Sequence, residues 1–187
     1  METGTIVIIV IAAILVLIAL YMVGVFNKLV NARNKVQNQF SQIDVQLKKR
    51  FDLIPNLVET VKGYAKHEKE TLDAVINARN RAVSAQGAEA EMKANGELSG
   101  ALSKLFALAE SYSDLKANTN FMDLQSNLKD TEDKISYARQ FYNDAVLKYK
   151  NKLEVFPSNI VAGMFGFKPE PFFEATGSER ENVKVQF

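Results

Sequence analysis

The sequence predicts an all-α membrane protein, in which one N-terminal transmembrane helix continues into an antiparallel up-down four-helix bundle. Two observations predict this class. Residues 6–26 contain no Asp, Glu, Lys, Arg or His, and beyond them apolar residues recur at helical steps of three and four. Four such segments joined by short links favour antiparallel neighbours.

The apolar run begins at Ile6, is centred near Leu15 and ends at Phe26. A helix of this length rises about 31 Å, close to the hydrocarbon thickness of a bilayer. The alternative is a buried core helix, but a helix of this length in a soluble protein normally carries a polar stripe, which the run lacks. The preceding segment is acidic at Glu2, and the run is too long for a signal peptide and lacks a small-x-small cleavage site. We therefore expect an uncleaved anchor.

Charge and composition limit the remaining possibilities. Lys28, Arg33 and Lys35 follow the span closely, whereas no Lys or Arg precedes it. The positive-inside rule then places the N-terminus outside and the main domain in the cytoplasm. The part after Phe26 holds 23 basic and 21 acidic residues, too balanced for a nucleic-acid footprint. The chain has no cysteine, which excludes disulfides, thiolate zinc sites and cysteine nucleophiles.

Composition divides the chain into four parts. They are a short N-terminal segment (1–5), the transmembrane helix (6–26), a helical bundle domain (27–157) and a tail rich in Phe, Gly and Pro (158–187). No Pro lies between Phe26 and Arg50, so we expect the transmembrane helix to run on into the first helix of the bundle.

A turn is expected at 51–55, after the first bundle helix. Asp52 suits the cap of a second helix over about 53–85, and Pro55 suits its first turn. Gly63 inside that helix costs about 1 kcal/mol against Ala.

The sequence pattern is weaker for the third helix than for the fourth. Glycines at three positions in 86–100 indicate a mobile connection with some helical character. A third, shorter helix follows over 98–115, and polar residues at 117–120 suit a turn. The fourth helix, 121–156, has a sustained heptad seam and ends before Pro157. Its seam consists of Phe121, Leu124, Leu128, Thr131, Ile135, Ala138, Tyr142, Ala145, Tyr149, Leu153 and Phe156.

The tail is unusually aromatic. Six of the twelve Phe residues fall between Phe156 and Phe187. Its apolar start, 160–167, either enters the membrane interface, covers an exposed groove or caps the bundle's own core. Residues 183–187 alternate as a short strand would. The candidate interface residues of this region are Phe156, Phe165, Phe167, Phe172 and Phe173.

The sequence offers little chemistry. His67 is the only histidine, and position 64 is Tyr, so a Glu-x-x-His metal motif is absent. His67 lies in a charged helical stretch without a nucleophile elbow, which favours a surface or packing histidine. Glu132 is explained as a helix-surface charge. We expect no catalytic residue, no metal and no cofactor.

Several short stretches together resemble the LemA family. They include Arg50, the run Asp52-Leu53-Ile54-Pro55-Asn56-Leu57, 60–65, Asn120-Phe121, Thr131-Glu132 and Phe156-Pro157-Ser158. Ser113 departs from the family, which often has Pro there. The resemblance implies a bacterial protein with one N-terminal span and an antiparallel helical domain, and it carries over no established catalytic residues. We expect the span to lie in the bacterial cytoplasmic (inner) membrane. The 52–57 run is either a folding turn or a site. Relatives among magnetosome-membrane proteins favour membrane shaping.

Two hypotheses of function follow. In the first, the chain is a non-enzymatic, self-assembling membrane scaffold that forms a homo-oligomer in the bilayer. In the alternative, it is an adaptor subunit of a membrane enzyme or transporter. The expected partners are the lipid bilayer, further copies of the chain and other membrane proteins, with no nucleic acid.

Overall fold

A computed structural model describes residues 3–173, and within that part all regular structure is helical. The helices are α1 (Thr3–Tyr64), α2 (Lys69–Ser84), α3 (Ala88–Ala109), α4 (Ser113–Lys116), α5 (Thr119–Glu154) and α6 (Ser158–Met164). The all-α class is therefore confirmed. The expected strand at 183–187 lies outside the described residues.

α1 confirms that the apolar run continues into the domain without a break, over 62 residues. It is the one described helix long and apolar enough to cross a membrane by length and composition. No residue of its most apolar 18-residue window is buried inside the protein. The residues named for the span, Ile6 and Leu15, are 46% and 60% exposed, and Phe26 is half-buried.

The turn expected at 51–55 is wrong, because α1 passes through Pro55 and ends only at Tyr64. Proline has no N–H to donate, so within a helix it deprives the carbonyl four residues earlier of its partner. That carbonyl is the one of Phe51, and it accepts a hydrogen bond from Nε of Arg79 at 2.8 Å instead. A side chain from α2 thus satisfies the group that Pro55 leaves unpaired, and the helix continues.

The single second helix over 53–85 is also wrong. The chain leaves the helix after Tyr64, directly beyond Gly63, and α2 starts at Lys69. The short turn between them is closed by hydrogen bonds from Glu68 N to Ala65 O at 3.2 Å and from Leu72 N to Glu68 O at 3.1 Å. The weak helix former at position 63 marks the place where the helix ends.

The connection expected at 86–100 is instead helical from Ala88. Gly87 adopts φ +88°, a region that favours glycine, and its carbonyl accepts the first hydrogen bond of α3, from Glu91 N at 3.0 Å. Ala94 and Leu98 are buried in the hydrophobic core, so packing outweighs the cost of the two glycines within the helix.

α5 is 36 residues long, as the seam predicts. Asn118 precedes it and caps it, since Asn118 Oδ1 accepts a hydrogen bond from Phe121 N at 3.0 Å. Most seam residues are buried, but Phe156 is not: it lies beyond the end of the helix and is 74% exposed. Its place in the seam was wrong because the helix ends at Glu154, before Pro157.

The described residues form two compact units. The anchor unit comprises 3–39 and 141–171, and its buried side chains come from α1, α5 and α6, among them Leu29, Tyr149 and Val161. The core unit comprises 40–140 with 172–173. Its hydrophobic core takes side chains from α1 to α5: Ile54, Leu57, Val61, Leu72, Val75, Leu98, Leu105, Leu115, Phe121 and Leu128.

Candidate functional site: a buried arginine network

One charged side chain, Arg50 of α1, is buried in the core unit and connects three helices. Its exposed fraction is 1%. Nη2 donates a hydrogen bond to the Ser99 hydroxyl on α3 at 2.8 Å, and Nη1 lies 3.2 Å from Oε2 of Glu132 on α5. Glu132 was expected to be only a surface charge. That interpretation is wrong: its side chain is 43% exposed, but it is the counter-charge of a buried cation.

Burial governs the electrostatics of this network. Loss of solvent lowers the pKa of Arg50, the carboxylate of Glu132 opposes that shift, and the charge of Arg139 adds to it. Arginine stays protonated in proteins, so the buried charge is compensated by its neighbour rather than lost. The network therefore connects α1, α3 and α5, because a displaced α5 would remove the counter-charge of the guanidinium and a displaced α3 would remove a hydrogen-bond acceptor.

The polar groups near Arg50 also form hydrogen bonds within their own helices. The Ser99 hydroxyl donates to the carbonyl of Asn95 at 3.1 Å, and Asn95, 2% exposed, donates from Nδ2 to the carbonyl of Glu91 at 2.8 Å. Thr131 is fully buried and donates to the carbonyl of Asn127 at 2.7 Å. Arg50 Nε has no acceptor among residues 3–173. Ser99 and Asn95 could not be found from sequence, since they lie in the stretch that the glycines made look like a connection.

A cavity of about 450 Å³ opens beside Arg50. This volume lies within the ordinary range of small-molecule pockets. The lining is partly apolar, with two cations and two carboxylates that balance each other: Arg50, Ser99, Leu102, Ser103, Phe106, Gln125, Leu128, Lys129, Glu132 and Asp133. The Ser99 hydroxyl in this cavity accepts a hydrogen bond from Arg50, donates to the carbonyl of Asn95 and lies 3.5 Å from Oε1 of Glu132. Within residues 3–173 no three His, Asp or Glu side chains are placed to hold a metal ion.

The family-motif stretch lies near the C-terminal end of α1, and its residues alternate between core and solvent. Three side chains are buried, namely Arg50, Ile54 and Leu57, while Leu53 is half-buried. Three are exposed, namely Asp52, Pro55 and Asn56. Asp52 pairs with Lys48 at 2.9 Å, but both side chains are largely solvated, so the pair adds little stability. The motif contributes two features to the fold. One is the buried cation of Arg50, and the other is the carbonyl that Pro55 leaves free to accept a hydrogen bond from Arg79.

A second set of polar contacts lies at the C-terminal end of α1. The hydroxyl of Tyr112 donates to Oε1 of Glu68 at 2.9 Å, and this hydrogen bond raises the pKa of Tyr112. Nδ2 of Asn118 donates to the hydroxyl of Tyr64 at 2.8 Å. His67 is exposed in the same turn, which agrees with a surface histidine.

The candidate interface residues fall into two groups. Phe156, Phe165 and Phe172 are 74%, 53% and 36% exposed. Phe167 is half-buried, and Phe173 is 7% exposed and packs in the core unit on Phe40, with ring centroids 6.0 Å apart. The second group therefore covers the protein's own helices.

In the anchor unit the aromatic side chains of the tail pack on α1. The ring of Phe26 lies 4.8 Å from that of Phe165 and 5.6 Å from that of Phe167, both edge-on. The guanidinium of Arg33 lies 5.5 Å from the centre of the Phe167 ring, a cation–π contact. These contacts fix the tail beside the last residue of the apolar run.

Comparisons with known proteins point to one family. A model described as the LemA family matches residues 39–187. Protein LemA of Metamycoplasma hominis is 27% identical over 165 residues, which cover 86% of this chain and 74% of that protein. Magnetosome protein MamQ 2 of Paramagnetospirillum magneticum is 23% identical over 175 residues, 80% of this chain and 64% of that protein. Magnetosome protein MamQ of Magnetospirillum gryphiswaldense is 23% identical over 174 residues, 79% and 64%. The chain thus spans less than two thirds of the magnetosome proteins that it matches.

Proposed function

The chain belongs to the LemA family, and from this premise we propose that it is a single-pass protein of the bacterial cytoplasmic membrane that works by self-assembly. In this proposal α1 anchors each copy, the helical domain contacts neighbouring copies, and no catalysis is involved. The relatives named as magnetosome proteins favour the form of the proposal in which the assembly organises membrane.

Orientation follows from the charges that flank the span. Lys28, Arg33 and Lys35 follow it, and no Lys or Arg precedes it. The proposal therefore places the N-terminus outside and the domain in the cytoplasm. Protection of the domain from protease in sealed spheroplasts is the expected result.

The observation that carries the proposal is the exposure of large apolar side chains along α5. Met122, Tyr137, Phe141 and Leu147 are 46%, 62%, 59% and 49% exposed. Single exposed apolar residues are ordinary on a soluble protein, but several on one long helix are typical of an interaction surface. An anchor that confines all copies to one plane raises their effective concentration, so weak contacts suffice for assembly.

The absence of native cysteine permits a direct test. Tyr137→Cys or Phe141→Cys is introduced into the full-length protein in native membranes, which are then treated with a mild oxidant. We expect a disulfide-linked dimer of the chain. Asp73→Cys, at an exposed charged position of α2, is the matched control and is expected to cross-link much more slowly. Equal rates at the three positions, or a product that contains a different protein, would favour the adaptor alternative.

A further inference from the structure

The turn that follows α5, together with α6 and the residue after it, exposes an unusual set of apolar side chains. Five large ones within eleven residues are more than half exposed, and we call them the α6 patch: Val155 (59%), Phe156 (74%), Ile160 (53%), Met164 (64%) and Phe165 (53%). The opposite side of α6 is apolar too, because Val161 and Ala162 are buried. A surface helix in water normally has one polar face, whereas α6 has apolar side chains on both sides.

The position of the patch indicates what covers it. The ring of Phe165 lies 4.8 Å from the ring of Phe26, the last residue of the apolar run. A helix that spans the hydrocarbon from Ile6 reaches the membrane interface at Phe26. The contact therefore holds the patch at the depth of the interface, where aromatic side chains are enriched.

The charge of the anchor unit supports the same partner. Its described residues carry seven Lys or Arg and three Asp or Glu, a formal charge of +4. The described residues of the core unit carry fourteen basic and fifteen acidic residues, a formal charge of −1. Basic side chains near the membrane surface are attracted to an anionic leaflet. Positive charge is thus concentrated in the unit that contains the span and the patch.

We propose that the α6 patch inserts into the interface of an anionic lipid bilayer beside the anchor. The chain then has two membrane contacts, the span and the inserted patch, and the basic side chains of the anchor unit lie over anionic headgroups. This inference rests on the anchor of the proposed function but not on its self-assembly.

The test uses the absence of tryptophan from the chain. Full-length Phe156→Trp, and separately Met164→Trp, is reconstituted into vesicles of phosphatidylglycerol and phosphatidylcholine brominated on its acyl chains. Both positions are largely exposed, so the larger ring is tolerated. We expect blue-shifted emission that the brominated lipid quenches at least threefold.

Two control variants make the result interpretable. Phe141→Trp replaces another exposed phenylalanine of the anchor unit, about 20 Å back along α5 from Glu154, and is expected to be quenched little. Leu15→Trp, in the middle of the run, is expected to be quenched most. Replacing phosphatidylglycerol with phosphatidylcholine is expected to reduce quenching at Phe156→Trp at least twofold and to leave Leu15→Trp unchanged.

Each contrary outcome has a distinct meaning. Strong quenching of Leu15→Trp without quenching of either patch variant would overturn the proposal and leave the anchor intact. Blue-shifted but unquenched emission from the patch would show that protein covers it instead of lipid. Equal quenching of the patch variants with and without phosphatidylglycerol would refute the role of charge. An unquenched Leu15→Trp would overturn the anchor and this inference together.

Discussion

Replacing Arg79 with Met is expected to destabilise the protein through the backbone of a different helix. Nε of Arg79 donates to the carbonyl of Phe51 at 2.8 Å, and Pro55 removes the only intrahelical donor for that carbonyl. Met keeps most of the apolar stem but has no N–H. The loss of a hydrogen bond from a charged donor, together with an unpaired carbonyl, costs about 2 kcal/mol.

The decisive comparison places the same substitution in a Pro55→Ala background. The N–H of the new alanine reaches the carbonyl of Phe51 as in any α-helix, so Arg79→Met should then cost only about 0.5 kcal/mol. Urea unfolding of the full-length protein in mild detergent, followed by far-ultraviolet circular dichroism, measures both values. Arg81→Met is the control, because Arg81 makes a solvated ion pair with Glu97 worth less than about 1 kcal/mol. An equal cost of Arg79→Met in both backgrounds would refute the reasoning.

Three further predictions use the same unfolding measurement. Glu132→Gln should lower the free energy of unfolding by about 2–3 kcal/mol, because it leaves the Arg50 charge uncompensated. An Arg50→Met/Glu132→Leu double variant should recover most of that stability. If the losses from the two positions were additive instead, the result would contradict this prediction. Burial, with a smaller contribution from Glu170, raises the pKa of Tyr142 to about 12, so the folded state keeps this proton longer than the unfolded chain. The contribution of Tyr142 to the free energy of unfolding is complete below about pH 10, and above that pH it falls by at most about 1.4 kcal/mol per pH unit. This decline should be shallower in Tyr142→Phe, and an unchanged pH dependence in that variant would contradict the assignment. Gly87→Ala should cost about 1–2 kcal/mol because of its φ of +88°, and a neutral result would mean that the start of α3 adjusts freely.

The sequence was sufficient where one strong local signal decided the structure. The uncharged run of 6–26 and the lack of a breaker before Arg50 predicted a continuous helix, and α1 is one. The steps of three and four from Phe121 onward predicted the length of α5. In both cases hydrophobic period and helix propensity agree.

The sequence was insufficient where a distant side chain or packing in the core determined the local structure. Pro55 reads as a helix start until Arg79 is known to satisfy the freed carbonyl. The glycines of 86–100 read as a connection, but burial of Ala94 and Leu98 makes the stretch helical. Glu132 reads as a surface charge because its buried partner is 82 residues away in the chain. Local propensity carries no information about such contacts.

The central claim, self-assembly in the membrane, is tested most directly by the mass of the full-length protein in nanodiscs large enough for several copies. One chain has a mass of 20.9 kDa. We expect a discrete oligomer whose protein mass is a whole multiple of that value and which dissociates in Tyr137→Glu, because a charge on the exposed apolar surface of α5 opposes its burial. A single copy per nanodisc at every ratio of protein to disc would contradict self-assembly.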